Sequence, residues 1–190
     1  MEALRNYIIN NKLTLLHPDK LTNFYYAIIE IKKIGLEGVS AELGAFKGGS
    51  SLFIAQLLKR THYVFDTFEG IQNSGKLDSL ENGAFSNVDE KSVRELLKDT
   101  ESVIVKGLFT GNRKDELFCL SHFDGDTYQS CKDFLNYFYR NTVKNGYLFF
   151  DDYDFENAIG VKIAIDEFLL ENKSHQKAFV SANHQFCIIK

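Results

Sequence analysis

Two short acidic clusters stand where apolar, β-rich runs end. Leu117 to Phe123 runs into Asp124-Gly125-Asp126, and Tyr147 to Phe150 runs into Asp151-Asp152. If the two runs are neighbouring parallel strands, their ends lie side by side and Asp124 can meet the Asp151-Asp152 pair. Carboxylates gathered in a partly dry cleft repel one another and raise each other's pKa unless a cation is present. Magnesium suits such a site, because it takes carboxylate and water oxygens and leaves positions for substrate. The plain alternative is three solvated loop acids, which would fit any one of them alone.

A third candidate is Glu42-Leu43-Gly44-Ala45-Phe46-Lys47-Gly48-Gly49-Ser50, closing an earlier apolar run. Its glycines permit a sharp turn and close approach of backbone to a ligand, and a following helix would offer free N–H groups. The run is neither GxGxxG nor a P-loop, which points away from a nicotinamide dinucleotide or a nucleoside triphosphate. A tight turn with no ligand is the competing account. Asp66 closes the next β-rich run, where an acid can hold the two hydroxyls of an adenosine ribose. It could equally cap a turn.

Other chemistries find little support. Ser130 and Cys131 have no His/Asp partner nearby in sequence. His17, His62, His175 and His184 are scattered without zinc spacing. His122 reads as a hydrogen-bonded structural histidine or an outer neighbour of Asp124. Cys119, Cys131 and Cys187 form no CxxC pair, so they read as small apolar residues and not as a metal or disulfide framework.

Elements that could position these residues alternate along the chain. Strands are expected at Val39 to Leu43, His62 to Phe65, Val103 to Val105, Leu117 to Phe123 and Tyr147 to Phe150, with two more between Lys177 and Lys190 around Asn183-His184. Helices are expected from Leu21, over Ser50 to Arg60, Asp89 to Lys98, the Cys131-Phe134-Leu135-Phe138 series, and Val161 to Leu170. Asn145-Gly146 reads as a turn. Strands apolar on both faces and alternating with helices predict a mainly parallel sheet covered on both sides. The last two strands, joined too tightly for a crossover helix, predict a C-terminal antiparallel hairpin. About seven strands follow, in an α/β fold. Ligands in such a sheet sit outside the carboxyl ends of the strands.

At 190 residues, with one proline and no linker-like stretch, the chain reads as one unit: residues 1–34 as a helical arm and 35–190 as the domain proper. A hydrophobic fraction of 44% and charged fraction of 25% speak against disorder. A net charge of −4 disfavours dedicated nucleic-acid binding. No segment has the roughly 18 apolar residues of a membrane span and no apolar leader follows Met1, so cytoplasm is the expected location. Quaternary state is open, and a homo-oligomer is allowed.

Taken together the motifs resemble the macrocin O-methyltransferase family, whose members methylate sugar hydroxyls of antibiotics. Besides Glu42 to Ser50, the matching stretches are Phe65-Asp66-Thr67-Phe68-Glu69-Gly70, Val105-Lys106-Gly107-Leu108-Phe109, Asp124-Gly125-Asp126-Thr127-Tyr128-Gln129-Ser130, Asp151-Asp152-Tyr153 and Ala164-Ile165-Asp166-Glu167-Phe168. The resemblance implies a single Rossmann-like class I methyltransferase domain that uses S-adenosylmethionine and Mg²⁺ on a small-molecule hydroxyl acceptor, a sugar or sugar-containing compound. It makes Asp124, Asp151 and Asp152 the metal ligands and Asp126 the general base. It puts Glu42, Gly44, Gly48, Ser50, Asp66, Thr67 and Phe68 around the cofactor, with Gly107 and Phe109 near the adenine. The chain departs from the family pattern at Gln72, where a proline is usual, and at Thr110-Gly111-Asn112-Arg113. Two rivals stay open: a glycosyltransferase-like nucleotide-sugar binder, in which Asp-Gly-Asp would hold Mn²⁺ on a diphosphate, and a non-catalytic relative that keeps the cofactor pocket.

Overall fold

Successive residues of a strand face opposite sides of the sheet, so five strands that are apolar on both sides require two covering layers. The computed structural model describes residues 1–111, 116–173 and 177–190. Asn112, Arg113 and His175 lie outside them. The order is α1 (Glu2–Asn10), α2 (Pro18–Lys33), β1 (Val39–Leu43), α3 (Gly49–Leu58), β2 (His62–Asp66), α4 (Glu90–Leu97) and β3 (Ser102–Lys106). Then come β4 (Phe118–Phe123), α5 (Tyr128–Phe134), β5 (Thr142–Phe150), α6 (Ile159–Glu171), β6 (Lys177–Val180) and β7 (Phe186–Ile189).

One seven-stranded sheet has the order β3-β2-β1-β4-β5-β7-β6. β1 to β5 run parallel, and β7 is antiparallel to both β5 and β6. This is the expected Rossmann-like α/β sheet with its C-terminal hairpin. The order reverses between β1 and β4, which opens a crevice at their carboxyl ends.

Each face carries its own core. On one side Ile8, Phe24, Ile28, Phe53, Val64, Leu120 and Phe149 pack together, so α1 and α2 bury residues in the same cluster as α3. On the other, Phe65, Phe123, Phe134, Phe138, Phe150 and Val161 pack under α5 and α6. The residues that alternate along β2, Val64 and Phe65, divide between the two. Cys119, Cys131 and Cys187 are all buried thiols, as expected of small apolar residues.

Two local expectations are corrected. Asn145-Gly146 is not a turn that ends an element, because β5 continues through it from Thr142. Phe118 pairs with Thr142 but Leu120 with Tyr147, so the extra residues of β5 are accommodated as a bulge in which Asn145 takes φ 69°. The aromatic helix begins earlier, at Tyr128, and ends as a π-helical turn, Leu135–Tyr139. That turn buries Leu135, Tyr137, Phe138 and Tyr139 together. Among the described residues, no helix is long and apolar enough to cross a membrane.

Candidate active site

The strand ends continue the ladder for one residue beyond the strands. Gly44 N–H donates to Phe65 O at 2.9 Å, Gly107 N–H to Asp66 O at 2.9 Å, Asp124 N–H to Leu43 O at 2.8 Å and Asp151 N–H to Phe123 O at 2.8 Å. These bonds align the four loops along one edge of the sheet. A cleft of about 510 Å³ lies there, lined by Gly44, Ser50, Asp66, Thr67, Phe68, Gly107, Phe109, Asp124, Asp126, Asp151 and Asp152, among others.

The glycine turn is shaped by close approach. Gly44 has φ +85°, and a Cβ on it would sit 1.9 Å from the Asp124 carbonyl oxygen, so no other residue fits there. Asp66 holds the turn from the neighbouring strand. Its Oδ2 accepts from Ala45 N–H at 2.7 Å and Phe46 N–H at 3.1 Å, and Oδ1 accepts from Phe68 N–H at 2.8 Å. Three backbone donors on one carboxylate, with Phe46 and Phe68 both at positive φ, make Asp66 the organiser of both loops. Gly48, at φ +82°, caps α3 against Val93 and is not among the residues lining the cleft. Phe109 forms one wall, stacked on Phe138 at 5.3 Å.

The acids converge. One carboxylate oxygen each from Asp124, Asp126 and Asp152 lie within 4.8 Å of one another. Burial, then the Asp151 and Asp126 carboxylates, push Asp124 well above the usual carboxylate range. Burial, then Asp152 and Asp151, push Asp126 up to about 8. Burial and the Asp151 charge raise Asp152 as well. Oxygens that repel one another in this way are a donor set that fits a hard divalent cation.

Asp151 has a different neighbourhood. Its Oδ2 takes the Lys20 ammonium at 2.5 Å, while Oδ1 is buried without a hydrogen-bond partner. His122 Nε2, also unpartnered, points at that Oδ1 from 4.0 Å, too far for a hydrogen bond but close enough for Coulombic attraction. Behind it, His122 Nδ1 meets Glu42 Oε1 at 2.7 Å, and Ser51 Oγ donates to Glu42 Oε2. Glu42 and His122 are fully buried, and Glu42 lies behind the cleft and not on its wall. Burial works against charge on both. The facing Asp151 and Glu42 carboxylates nevertheless raise His122 to about 10, and the His122 bond lowers Glu42. A row of alternating charges thus runs from β1 through β4 to β5 and on to α2.

Sequence reasoning placed Asp124, Asp126, Asp151 and Asp152 at neighbouring strand ends; the structure groups the oxygens of Asp124, Asp126 and Asp152, while Asp151, expected as a metal ligand, turns its oxygens to Lys20 and His122. Lys20 was missed altogether. It lies in α2, 131 residues from Asp151, and in sequence it is one more polar residue of an amphipathic helix. Asp78, whose Oδ1 accepts from the Tyr128 N–H at 2.7 Å beside the Asp124-Gly125-Asp126 loop, was missed too. Its signal is a short polar residue in a long connection, which by itself says nothing.

The comparisons with known proteins agree with this geometry. A family model described as macrocin-O-methyltransferase (TylF) matches residues 10–180. Among solved structures, the O-methyltransferase NovP is similar at TM-score 0.81 and 21% identity, covering 93% of this chain and 81% of NovP. The calicheamicin methyltransferase CalS11 is similar at TM-score 0.76 and 19% identity, covering 90% of this chain and 78% of CalS11. An apo structure of CalS11 is described as that of a TDP-rhamnose 3′-O-methyltransferase. An O-methyltransferase from Bacillus cereus, solved with SAH, is similar at TM-score 0.62 and 11% identity, covering 100% of this chain and 90% of its own. At these identities the solved structures speak for the fold. A search of curated proteins by sequence found no match.

Proposed function

The chain belongs to the macrocin O-methyltransferase family, and from that premise we propose that it moves a methyl group from S-adenosylmethionine to a hydroxyl of a sugar or sugar-containing small molecule, assisted by a divalent cation. The observation that carries this reading is the gathering of Asp124, Asp126 and Asp152 oxygens within 4.8 Å in the lining of a cleft that also contains the glycine turn. The sugar class is supported by what CalS11 is named for.

S-adenosylmethionine would lie along Gly44, Ser50, Asp66, Thr67 and Phe68, with its adenine toward Gly107 and Phe109. Glu42 and Gly48 act on it from behind, by fixing the turn. Asp124 and Asp152 would hold Mg²⁺, with Asp151 as the third ligand that the family resemblance implies, through an Oδ1 that has no hydrogen-bond partner and faces His122 Nε2 from 4.0 Å. A bound divalent cation would lower the pKa of the acceptor hydroxyl and fix its direction.

Methyl transfer from sulfonium to oxygen leaves a thioether and releases one proton. Asp126 would accept it. Burial and the Asp152 and Asp151 charges raise Asp126 while the acids face one another alone; a divalent cation beside them would offset that repulsion and keep Asp126 ionised, as a base requires. The remaining residues of the cleft orient the two reactants, and orientation can contribute roughly 7–11 kcal/mol to such a reaction. The 4.8 Å grouping favours a second reading, in which Asp126 is itself a ligand.

Calorimetry with SAH and with Mn²⁺, which takes the same oxygen donors, tests the assignment. Asp124→Asn is expected to keep SAH affinity and lose Mn²⁺ affinity at least tenfold. Wild-type Mn²⁺ affinity in that variant would remove the cation from the reading.

A further inference from the structure

Lys20 is the one lysine, arginine or histidine among the described residues that line the cleft. It does not come from a strand end but from the first turn of α2. Its Nζ lies 2.5 Å from Asp151 Oδ2 and 3.7 Å from Asp152 Oδ1, and its side chain is only 8% exposed. A buried ammonium is tolerated only when paired, and ordering a lysine side chain costs about 1.5–2 kcal/mol of rotamer entropy. The fold meets that cost with a dedicated mount.

The helix that carries Lys20 is keyed into the C-terminal hairpin on both sides of it. Asn183 Nδ2 is bonded to His17 Nδ1 at 2.9 Å and to Asp19 Oδ2 at 3.2 Å. One turn on, Asn23 Nδ2 donates to Gln185 Oε1 at 2.8 Å and to Ser181 Oγ at 3.1 Å. Phe24 then packs edge-on against His122, with ring centroids 4.7 Å apart. Residues 181–185 follow β6 and precede β7, whose partner β5 ends at Phe150, directly before Asp151-Asp152. One hairpin therefore sets the distance between the ammonium and the carboxylates it meets.

We propose that Lys20 is a positioning residue of the cation site: by holding one oxygen of Asp151 and approaching Asp152, it orients Asp152, one of the three clustered carboxylates, and the Asp151 beside it. The segment expected as an accessory helical arm is then part of the active centre. This inference rests on the cation reading of the acidic cluster.

The test is Mn²⁺ calorimetry on wild type, Lys20→Met, Lys20→Gln and Lys20→Arg, with SAH affinity and melting temperature measured on each. Loss of an outer partner of a metal ligand costs 10–100-fold in affinity. Lys20→Met and Lys20→Gln should fall in that range, Lys20→Arg should recover most of it, and SAH affinity should stay within about twofold throughout. A neutral variant that is folded and binds Mn²⁺ like wild type, or more tightly, overturns the role of Lys20 alone. If SAH affinity falls in step with Mn²⁺ affinity, Lys20 is a general folding contact and the proposal also fails. If wild type itself binds no Mn²⁺, the cation reading fails, and this inference fails with it.

Discussion

The Asp78 carboxylate accepts a hydrogen bond from the backbone N–H of Tyr128 at 2.7 Å, two residues beyond Asp126. The long connection after β2 is thereby fastened to the loop that carries the proposed base. Its neck is closed by Ile71 and Ala84, with Ile71 N–H donating to Ala84 O at 2.9 Å. Between these points Ile71, Gln72, Asn73 and Leu80 line the cleft. A polar stretch of chain has become a pinned wall.

Releasing that wall should disturb the acceptor and not the cofactor. Asp78→Ala is expected to raise the acceptor KM about two- to thirteenfold, the equivalent of roughly 0.5–1.5 kcal/mol for one hydrogen bond. Gly160→Ala should do the same from the other side, since its Cβ would meet Asp78 Oδ1 at 2.3 Å. Steady-state kinetics at saturating S-adenosylmethionine is the measurement. An unchanged KM in both variants would show that the wall does not touch the acceptor.

The Glu42–His122 pair, fully buried with 2.7 Å between Oε1 and Nδ1, makes a separate prediction. Glu42→Gln leaves a buried imidazolium without its nearer counter-charge, with only the Asp151 carboxylate 4.0 Å away. Breaking a buried pair in this way costs about 3–5 kcal/mol, to be read from urea denaturation at pH 7.

His62 gives a pH dependence of definite sign. Burial depresses its pKa from 6.5 to about 4, so the folded protein binds fewer protons than the unfolded chain between those values. Its contribution is fully present above pH 6.5 and is lost as pH falls toward 4. His122, at about 10 when folded, is protonated in both states over most of this window and adds little slope there. Wild type should therefore lose stability relative to His62→Gln between pH 6.5 and 4. A difference that is flat with pH would contradict the assignment.

How much of this was legible in the sequence depends on the range of the interaction. Asp66, Asp124, Asp151 and Asp152 could be found because each ends a β-rich run, and parallel strands bring their ends together whatever the side chains do. Gly44 could be found as a turn. That it must be glycine follows only from the Asp124 carbonyl oxygen beside it, which belongs to another strand. The Asn145-Gly146 pair misled for a related reason: the local signal is a turn, but pairing with β4 and β7 on either side carries β5 through it as a bulge. Lys20 and Asp78 were not legible. Their partners are 131 and 50 residues away, and neither leaves a periodic trace.

Transfer of labelled methyl from S-adenosylmethionine to sugar-containing acceptors, by wild type and by Asp126→Asn, tests the central claim most directly when SAH and Mn²⁺ binding are measured beside it. Wild type is expected to transfer methyl. Asp126→Asn should bind both ligands within about twofold of wild type while its turnover falls by the roughly 10²–10⁴-fold that a general base supplies. Undiminished transfer by Asp126→Asn would contradict the account.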